Sequence, residues 1–358
     1  MHNNIPCISA STTRRTEATP PMSLPTRLLA GRQVPIPGFG CMGISAYYAP
    51  SLKSEQHYQS VLRAAYDLGA RHWDTANVYG EHGLGENERL IGRAIMELEI
   101  PREDIFLATK FGISYEDGVL RARGSPEYVR ACLAQSLEAL QTPYVDLYYV
   151  HRVDPDTPIE VTVNAMQQLK EEGKIRGIGL SECSAETLRK AAKVVTVDAV
   201  QVEYSLFETT PETNGLLATC KELNVPLVAY SPLGRGFLSG RFRTRADLPS
   251  IDSRLGLPRF SEENFPKNLV LVDHVNRLAQ KKGCTAGQLA LAWIHAQWER
   301  TIAIPGTTRV EALKENVESG KVVLSPEELT EIREVLDSFK PVGNRYDEWM
   351  TALEDQSA

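Results

Sequence analysis

The sequence predicts an α/β fold of the (β/α)8 barrel class, the TIM barrel, and three observations lead to that prediction. Short β-rich apolar runs alternate eight times with longer segments whose apolar residues recur with a period of about 3.6 residues, which is typical of repeated βα units. No Gly/Ser-rich linker or change of composition divides the units. The length of 358 residues is that of one barrel with insertions.

The strands are predicted from runs that are too apolar for a sheet with one face in water, as in a buried parallel sheet. A hairpin over residues 26–34, turning at Ala30 and Gly31, precedes them. The eight predicted strands are residues 35–40, 71–74, 105–110, 145–150, 176–180, 198–202, 225–230 and 301–304.

The helices are predicted from apolar spacing together with start and stop signals. Ser125 and Ser325 are each followed by proline, the pattern of an N-cap with Pro in the first turn, and Gly69 is placed to end the first helix. The predicted helices are residues 54–68, 86–96, a segment from 125, 158–172, 184–193, 212–223, 267–282, 285–298, 310–319 and a last segment from 325.

These elements define one barrel domain over residues 26–340, with a long irregular loop after strand seven, residues 231–266. Loops of that length are more often functional than structureless. We expect residues 1–25 to be a disordered extension, with a targeting segment or an alternative start at Met22 as open alternatives, and residues 341–358 to be a tail after the final helix. An open doubly wound sheet is the alternative fold. It is disfavoured because no G-x-G-x-x-G turn follows the first strand.

Composition excludes several classes of function. The chain has 39 Lys and Arg against 46 Asp and Glu, a net charge of −7. It therefore lacks the excess of basic residues expected of a protein that binds nucleic acid. No apolar run reaches the roughly 18 residues that a membrane span needs. The six cysteines form no C-x-x-C pair, which predicts reduced thiols, a cytoplasmic location and no metal site.

Polar residues stand at the carboxyl ends of the predicted strands, where barrels of this kind build their active sites. Any one of them alone would be an ordinary helix cap or core residue. Convergence of six on one rim is harder to explain in that way. The six are Asp74, Lys110, His151, Ser181, Gln201 and Tyr230.

Tyr79 lies five residues beyond Asp74, close enough to fold back over the same rim. An adjacent ammonium favours a phenolate, so we expect Lys110 to bring the pKa of Tyr79 toward working pH and Asp74 to keep Lys110 charged and oriented. His151 is suited to hydrogen-bond a substrate carbonyl oxygen beside the Tyr79 hydroxyl. These four residue types suit general acid-base chemistry at a carbonyl group.

Two Gly-containing loops, residues 231–236 and 305–309, follow strands seven and eight, where barrels often bind phosphate. The second loop enters a helix N-terminus, whose free N–H groups favour an anion. Either loop alone is a weak signal. Their joint placement predicts phosphate binding.

At these residues the sequence resembles the aldo-keto reductase superfamily, whose Asp, Tyr, Lys and His occur in this order as a catalytic tetrad. The similarity runs from Arg27 to about Ser319. It rests on Gly40-Cys41-Met42-Gly43, Asp74-Thr75-Ala76, Tyr79-Gly80, Gly85-Glu86-Asn87-Glu88, Ala108-Thr109-Lys110, His151, Gly179-Leu180-Ser181, Gln201, Tyr230-Ser231-Pro232-Leu233-Gly234 and Ile304-Pro305-Gly306-Thr307.

The resemblance implies hydride transfer between NADPH and an aldehyde or ketone, with Asp74, Tyr79, Lys110 and His151 catalytic and Tyr79 the general acid. It also implies that Tyr230 stacks on the nicotinamide, that Ser181 and Gln201 hold its carboxamide, and that Arg309 contacts the 2′-phosphate. The full implied cofactor set is Met42, Gly43, Asp74, Ser181, Gln201, Tyr230, Ser231, Leu233, Gly234, Pro305, Gly306, Thr307, Arg309, Glu315 and Asn316.

Two positions depart from the family pattern. Glu182 stands where many relatives have Asn, and an ionised carboxylate cannot donate a hydrogen bond to the carboxamide. Ala312 stands where relatives commonly carry Arg, so the preference for NADPH over NADH depends on Arg309.

The substrate is predicted only as a small-molecule carbonyl compound, and no feature predicts an oligomeric state. Its pocket could be walled by residues 111–123 and by Tyr47, Tyr48, Phe237, Phe242, Phe260, Tyr346 and Trp349. Two other functions stay open. One is a cofactor-binding interaction protein, since potassium-channel beta subunits share this fold and tetrad. The other is a barrel lyase or hydrolase without nicotinamide, which the two phosphate loops disfavour.

Overall fold

The computed structural model describes residues 24–48, 53–116, 119–351 and 353–355. Most of the predicted extension 1–25 therefore lies outside the described residues. The strands, in chain order, are β1 Thr26–Leu29, β2 Arg32–Pro35, β3 Phe39–Gly40, β4 His72–Asp74, β5 Phe106–Phe111, β6 Ile113–Glu116, β7 Val119–Ala122, β8 Leu147–Val150, β9 Ile178–Ser181, β10 Ala199–Glu203, β11 Leu227–Tyr230 and β12 Thr301–Ala303.

Eight of these strands form one parallel sheet in the order β3-β4-β5-β8-β9-β10-β11-β12. The sheet closes into a barrel because the first and last strands also bond to each other: Gly38 N–H donates to Ala303 O over 2.9 Å and Gly40 N–H to Pro305 O over 3.3 Å. A Cβ on Gly306 would lie 2.8 Å from the Gly40 carbonyl oxygen, so the two backbones can meet only without side chains. The predicted (β/α)8 barrel is confirmed.

The helices are α1 Glu55–Asp67, α2 Glu86–Glu97, α3 Pro126–Leu140, α4 Ile159–Glu171, α5 Ala185–Ala192, α6 Leu216–Leu223, α7 Asn264–Lys282, α8 Ala286–Ala296, α9 Val310–Glu318, α10 Pro326–Ser338 and α11 Glu348–Thr351. Ser125 and Ser325 accept the predicted capping hydrogen bonds at α3 and α10, and Ser54 accepts one at α1. Gly69 follows α1 with φ +85°, the left-handed conformation that ends a helix.

The core has two layers that the strands separate. Inside the barrel, Phe106, Leu147, Tyr149, Val228 and Ile302 pack together, and the β1–β2 hairpin closes the lower end over them. Outside, a larger apolar cluster fills the space between the strands and the surrounding helices. This packing leaves the opposite end of the barrel, where the strands finish, to polar residues.

Several details differ from the sequence-based expectations. The first barrel strand is shorter than residues 35–40, because Pro35 and Pro37 have no N–H to donate to a ladder. Helix α6 begins at Leu216, after a 3-10 turn over Thr210–Glu212, rather than at residue 212. The stretch 231–266 holds four short 3-10 helices and the first residues of α7.

Two segments named as possible pocket walls, residues 111–123 and the tail with Tyr346, have structures that the sequence did not predict. Strands β6 and β7 form a separate hairpin after β5. Residues 341–347 run across the carboxyl end of the barrel rather than away from it, bonding to α7 at Asn268 on the way. Among the described residues, no helix is long and apolar enough to cross a membrane.

Candidate active site

The structure brings the predicted polar residues to one rim of the barrel. Each stands within two residues of the carboxyl end of a strand, so the parallel sheet places them side by side. Tyr79 reaches the rim from the turn after β4, where its N–H donates to Ala76 O. The residues assembled here are Asp74, Tyr79, Lys110, His151, Ser181, Gln201 and Tyr230.

Lys110 is the centre of this cluster. Its side chain is fully buried, and Nζ donates to Asp74 Oδ1, to Thr75 O at 2.8 Å and to Tyr79 OH at 3.3 Å. Three acceptors use all three N–H donors of the ammonium. A buried charge that is paired and fully hydrogen-bonded is held in one position, so Lys110 fixes the separation of Asp74 and Tyr79.

Gln201 makes a contact that the sequence did not predict. Its Nε2 donates to Asp74 Oδ2 over 2.8 Å, so both oxygens of the Asp74 carboxylate are engaged. Gln201 therefore helps to hold the Asp74 carboxylate in position from β10, in addition to any contact with the nicotinamide carboxamide.

Tyr79 is buried apart from a small exposed fraction of 9%, which faces the rim. Burial raises the pKa of Tyr79 well above its ordinary value, the charge of Asp74 raises it further, and the guanidinium of Arg152 opposes both. The expectation that Lys110 would bring this pKa toward neutral was therefore wrong for this structure, because burial of the phenol, with the nearby charge of Asp74, raises it. Tyr79 stays protonated at neutral pH, the form in which a phenol can donate a proton.

His151 faces Tyr79 with its ring nearly perpendicular, at 85° and a centroid distance of 5.8 Å. Burial lowers the pKa of His151 well below 6.5, and the charges of Lys110 and Arg152 lower it further. The imidazole is therefore neutral, with one nitrogen that donates and one that accepts. Its backbone N–H is fixed to Phe111 O at 2.6 Å, so the ring is held beside the phenol.

The Gly85–Glu88 motif supports this cluster from behind. Thr75 Oγ1 donates to Asn87 Oδ1 at 2.7 Å, and Asn87 Nδ2 donates to Cys41 O at 3.0 Å. Glu88 is buried and accepts a hydrogen bond from Thr109 Oγ1 at 2.6 Å. These contacts tie the ends of β3, β4 and β5 to α2. The Gly85–Glu88 motif therefore holds the strand ends in position and does not itself have to contact a ligand.

The loop after β11 forms a concave turn. Four of its residues have positive φ, namely Ser231, Gly234, Arg235 and Gly236. At Gly234 a Cβ would lie 2.8 Å from the Phe207 ring, so the turn requires glycine there. Arg235 points inward, where its Nη2 lies 2.9 Å from Glu203 Oε2, and it is therefore occupied by a carboxylate of the protein.

The loop after β12 leads into α9, and no described side chain caps the N-terminus of that helix. Thr307 Oγ1 accepts the Arg309 N–H at 3.2 Å, and the Arg309 side chain is exposed. Arg241, from the long loop, belongs to the same surface: burial lowers its pKa first, and the positive charges of Arg309 and Arg254 lower it further. Sequence reasoning missed Arg241 and Arg254, although both lie in the loop it singled out.

The other predicted cofactor residues line the same side of the rim. Gly43 lies in a 3-10 turn over Met42–Ile44, and a Cβ there would come within 3.9 Å of the Thr308 methyl. Asn316 is buried in α9, while Glu315 Oε1 accepts the Thr285 hydroxyl at 2.6 Å. The turn after β3 and the loop after β12 are therefore neighbours at the seam of the barrel.

The aromatic residues divide between packing and the rim. Phe237 and Phe260 are 1% exposed with ring centroids 4.5 Å apart, so they are core residues and not pocket walls. Tyr47 is 43% exposed, and Tyr346 is buried with its hydroxyl 2.5 Å from that of Tyr230. The side chain of Trp349 lies outside the described residues.

The closed barrel and its Asp74–Lys110–Tyr79 cluster define a (β/α)8 barrel protein with buried ionisable groups at the carboxyl ends of the strands. Sequence comparison makes the class more specific. The Aldo/keto reductase family profile matches residues 38–337, and the chain belongs to that family.

Individual relatives agree with this assignment. The chain is 46% identical over 329 residues to "Aldo-keto reductase yakc [NADP(+)]" of Schizosaccharomyces pombe, covering 91% of this chain and 95% of that protein. Its fold is similar to the glycerol dehydrogenase AKR11B4 of Gluconobacter oxydans, with a TM-score of 0.77 at 28% identity, covering 90% of this chain and 98% of the other. It is also similar to an aldo-keto reductase from Klebsiella pneumoniae in complex with NADPH, with a TM-score of 0.67 at 28% identity, covering 91% and 99%.

Proposed function

We propose that this protein is an NADPH-dependent carbonyl reductase that converts an aldehyde or ketone to an alcohol, with Tyr79 as the proton donor. The observation that carries the proposal is the rim geometry. A protonated phenol lies 3.3 Å from the buried Lys110 ammonium, with a neutral imidazole from His151 facing it at a right angle. This arrangement suits a carbonyl oxygen that accepts from both side chains.

Each of the four catalytic residues has a separate role in the proposed reaction. The Tyr79 hydroxyl and the His151 N–H hydrogen-bond the carbonyl oxygen, which polarises the carbonyl group and orients it. As negative charge develops on that oxygen, Tyr79 transfers its proton to it. The Lys110 ammonium, held by Asp74, faces the phenolate that remains. NADPH, when bound, supplies the hydride that the carbonyl carbon receives.

The surface between the first and last strands fits NADPH. The positive-φ turn after β11 leaves room for a pyrophosphate close to the backbone, and the uncapped N-terminus of α9 offers N–H donors to an anion. Arg309 and Arg241 add positive charge there, which favours NADPH, with its additional 2′-phosphate, over NADH. The NADP(+) in the name of the fungal relative and the NADPH in the bacterial complex support this choice.

The test is Tyr79→Phe, which removes only the hydroxyl. We expect reduction of 4-nitrobenzaldehyde to fall by about 10²–10⁴-fold while the Kd for NADPH stays within about twofold of wild type. Tyr66→Phe is the matched control, because its hydroxyl binds Asp104 on the outside of the barrel. Unchanged turnover in Tyr79→Phe would contradict the proposal. Wild-type protein that binds NADPH but turns over no carbonyl substrate would favour the interaction-protein alternative instead.

We further propose that the barrel domain of residues 26–340 carries the four catalytic residues and that residues 1–21 are dispensable for activity. A chain beginning at Met22 should retain wild-type turnover and a wild-type unfolding midpoint. We also propose a cytoplasmic location, which the free thiols of the five described cysteines favour.

A further inference from the structure

Residues 341–347, called the C-terminal strap below, cross the carboxyl end of the barrel from α7 toward β9. At the α7 end, the Val342 backbone exchanges hydrogen bonds of 2.9 and 2.8 Å with the Asn268 side chain. Next along the chain, Arg259 Nε donates to Gly343 O at 3.3 Å. Beyond the strap, Asp355 accepts the Ser184 N–H at 2.8 Å, next to α5. The segment is therefore anchored at both ends.

Arg345 makes the central ionic contact of the strap. Its Nη2 lies 2.5 Å from Glu182 Oε2, and its Nη1 lies 3.9 Å from Glu203 Oε2. Burial alone would raise the pKa of Glu182, but the guanidinium groups of Arg345 and Arg152 lower it below its ordinary value, so Glu182 is a carboxylate. Its other oxygen accepts the Glu203 N–H at 2.9 Å. Glu182 thus ties the strap to two strand ends at once.

Tyr346 makes the second central contact. Its hydroxyl lies 2.5 Å from the Tyr230 hydroxyl, and Arg152 Nη2 donates to it over 3.2 Å. The guanidinium carbons of Arg235, Arg345 and Arg152 stand 4.7, 4.9 and 5.5 Å from the centre of its ring. The ring is 6% exposed and is held from several sides, so it restrains the Tyr230 side chain at its hydroxyl end.

The strap is attached next to the residues assigned above to nicotinamide and substrate. Four strand ends that carry those residues also carry an anchor of the strap. Glu182 directly follows Ser181, Glu203 is two residues beyond Gln201, Arg152 directly follows His151, and Tyr230 is itself an anchor. The anchors of the strap therefore lie among the residues proposed to bind nicotinamide and substrate.

We propose that the C-terminal strap closes the nicotinamide end of the site, that Tyr346 is a positioning residue for Tyr230, and that the Glu182–Arg345 pair must open for the nucleotide to exchange. This inference rests on the proposed function and adds a role for Glu182 other than carboxamide binding. The Arg345 side chain is 22% exposed, so water can reach one side of the pair. A contact of polar and charged groups at the rim opens at lower cost than the apolar core does.

The experiment measures NADPH release by stopped-flow fluorescence from Arg345→Met and from wild type. Arg345→Met is preferred to a change at Glu182 because it leaves Glu182 facing Arg152, whose Nη1 is 3.5 Å away, and so creates no unpaired buried charge. Arg345 also binds Glu354 within the C-terminal segment, but its contact with Glu182 is the one that joins the strap to the end of β9. Loss of that contact should speed release about ten- to hundredfold. Arg345→Lys should restore part of the slow release. Arg189→Met, which removes an ion pair with Glu222 on the outside of the barrel, is the control and should release at the wild-type rate.

A second variant, Tyr346→Phe, tests positioning. It keeps the ring and the Arg345 pair but removes the hydroxyl that contacts Tyr230. We expect kcat to fall by about tenfold with NADPH release unchanged, because a small displacement at the reacting geometry costs rate rather than affinity.

The outcomes separate this inference from the proposed function. Wild-type protein that does not bind NADPH would refute the proposed function itself. Normal NADPH binding with equal release rates in wild type and Arg345→Met would overturn the strap alone. The closing role of the strap would also be refuted if Arg345→Met lowers the unfolding midpoint relative to Arg189→Met and leaves release unchanged, since the pair would then serve only stability.

Discussion

Replacing Arg309 by alanine should separate the binding of NADPH from that of NADH. On the proposed assignment, this side chain contacts the 2′-phosphate, a group that NADH lacks. Ala312 occupies the position one turn further along α9 where relatives commonly supply a second arginine, so that helix offers less compensation here. Arg309→Ala should therefore weaken the binding of NADPH and leave the binding of NADH nearly unchanged.

The size of the effect follows from the surroundings of Arg309. A charge-assisted hydrogen bond is worth about 1.5–3 kcal/mol. Arg309 is exposed, so solvent and salt screen the contact and the lower end applies, which is about tenfold in Kd. Arg241 stands close enough for the two charges to influence each other, so Arg241→Ala should weaken NADPH binding too, and the double variant should lose more than either single one.

The assay is a pair of fluorescence titrations on each variant, one with NADPH and one with NADH, at low and at high salt. Arg300→Ala is the control, because Arg300 precedes β12 at the opposite end of the barrel and bonds to Asn224 O. An equal loss for both nucleotides in Arg309→Ala would move this side chain to the shared pyrophosphate. No loss for either would refute its role in binding.

Three further predictions concern the cluster, a buried histidine and the barrel seam. Lys110→Met should lower turnover by at least about 10²-fold, because the phenolate of Tyr79 loses its facing ammonium; retained steady-state activity would contradict this. Burial lowers the pKa of His72 to about 3, so between pH 6.5 and 3 the unfolded chain binds a proton that the native state does not. The free energy of unfolding therefore decreases as the pH is lowered through this range. Urea titrations should show that His72→Leu loses about 2–3 kcal/mol less stability than wild type between about pH 7 and pH 4.5; an equal loss would refute the assignment. Gly306→Ala should destabilise the protein by about 1–3 kcal/mol, because its Cβ would meet a backbone oxygen 2.8 Å away, whereas Gly256→Ala, with open space around it, should leave the melting temperature nearly unchanged.

The barrel could be predicted from sequence because its signals are local. Apolar runs and capping residues such as Ser125 act within a few positions of the chain, and the structure places nearly every helix and strand within a few residues of the expected bounds. The rim residues could be predicted for a related reason. Once the strands are parallel, their ends must meet, so Asp74 and Lys110 are neighbours by topology alone.

The contacts of the strap could not be predicted in that way. Arg345 and Glu182 are 163 positions apart, and nothing near Arg345 in the chain indicates which strand end it will reach. The pKa of Tyr79 was misjudged for a similar reason, since its direction depends first on burial and then on the charges of Asp74 and Arg152 around the phenol. Pairing across the fold and desolvation are properties of the packed molecule, which a local pattern does not contain.

The two groups of charges at the rim have different effects on Tyr79. Asp74 offsets Lys110 in direct contact, whereas the guanidinium of Arg152 acts to lower the pKa of Tyr79. Arg152 shares its carboxylate partner, Glu182, with Arg345 of the C-terminal strap. Glu182 is therefore divided between a guanidinium group of the rim and one of the strap. Tyr346 of the strap acts in the opposite direction from Arg152, because it raises the pKa of Tyr79. The strap therefore influences Tyr79 by two routes of opposite sign, one through Glu182 and Arg152 and the other through Tyr346.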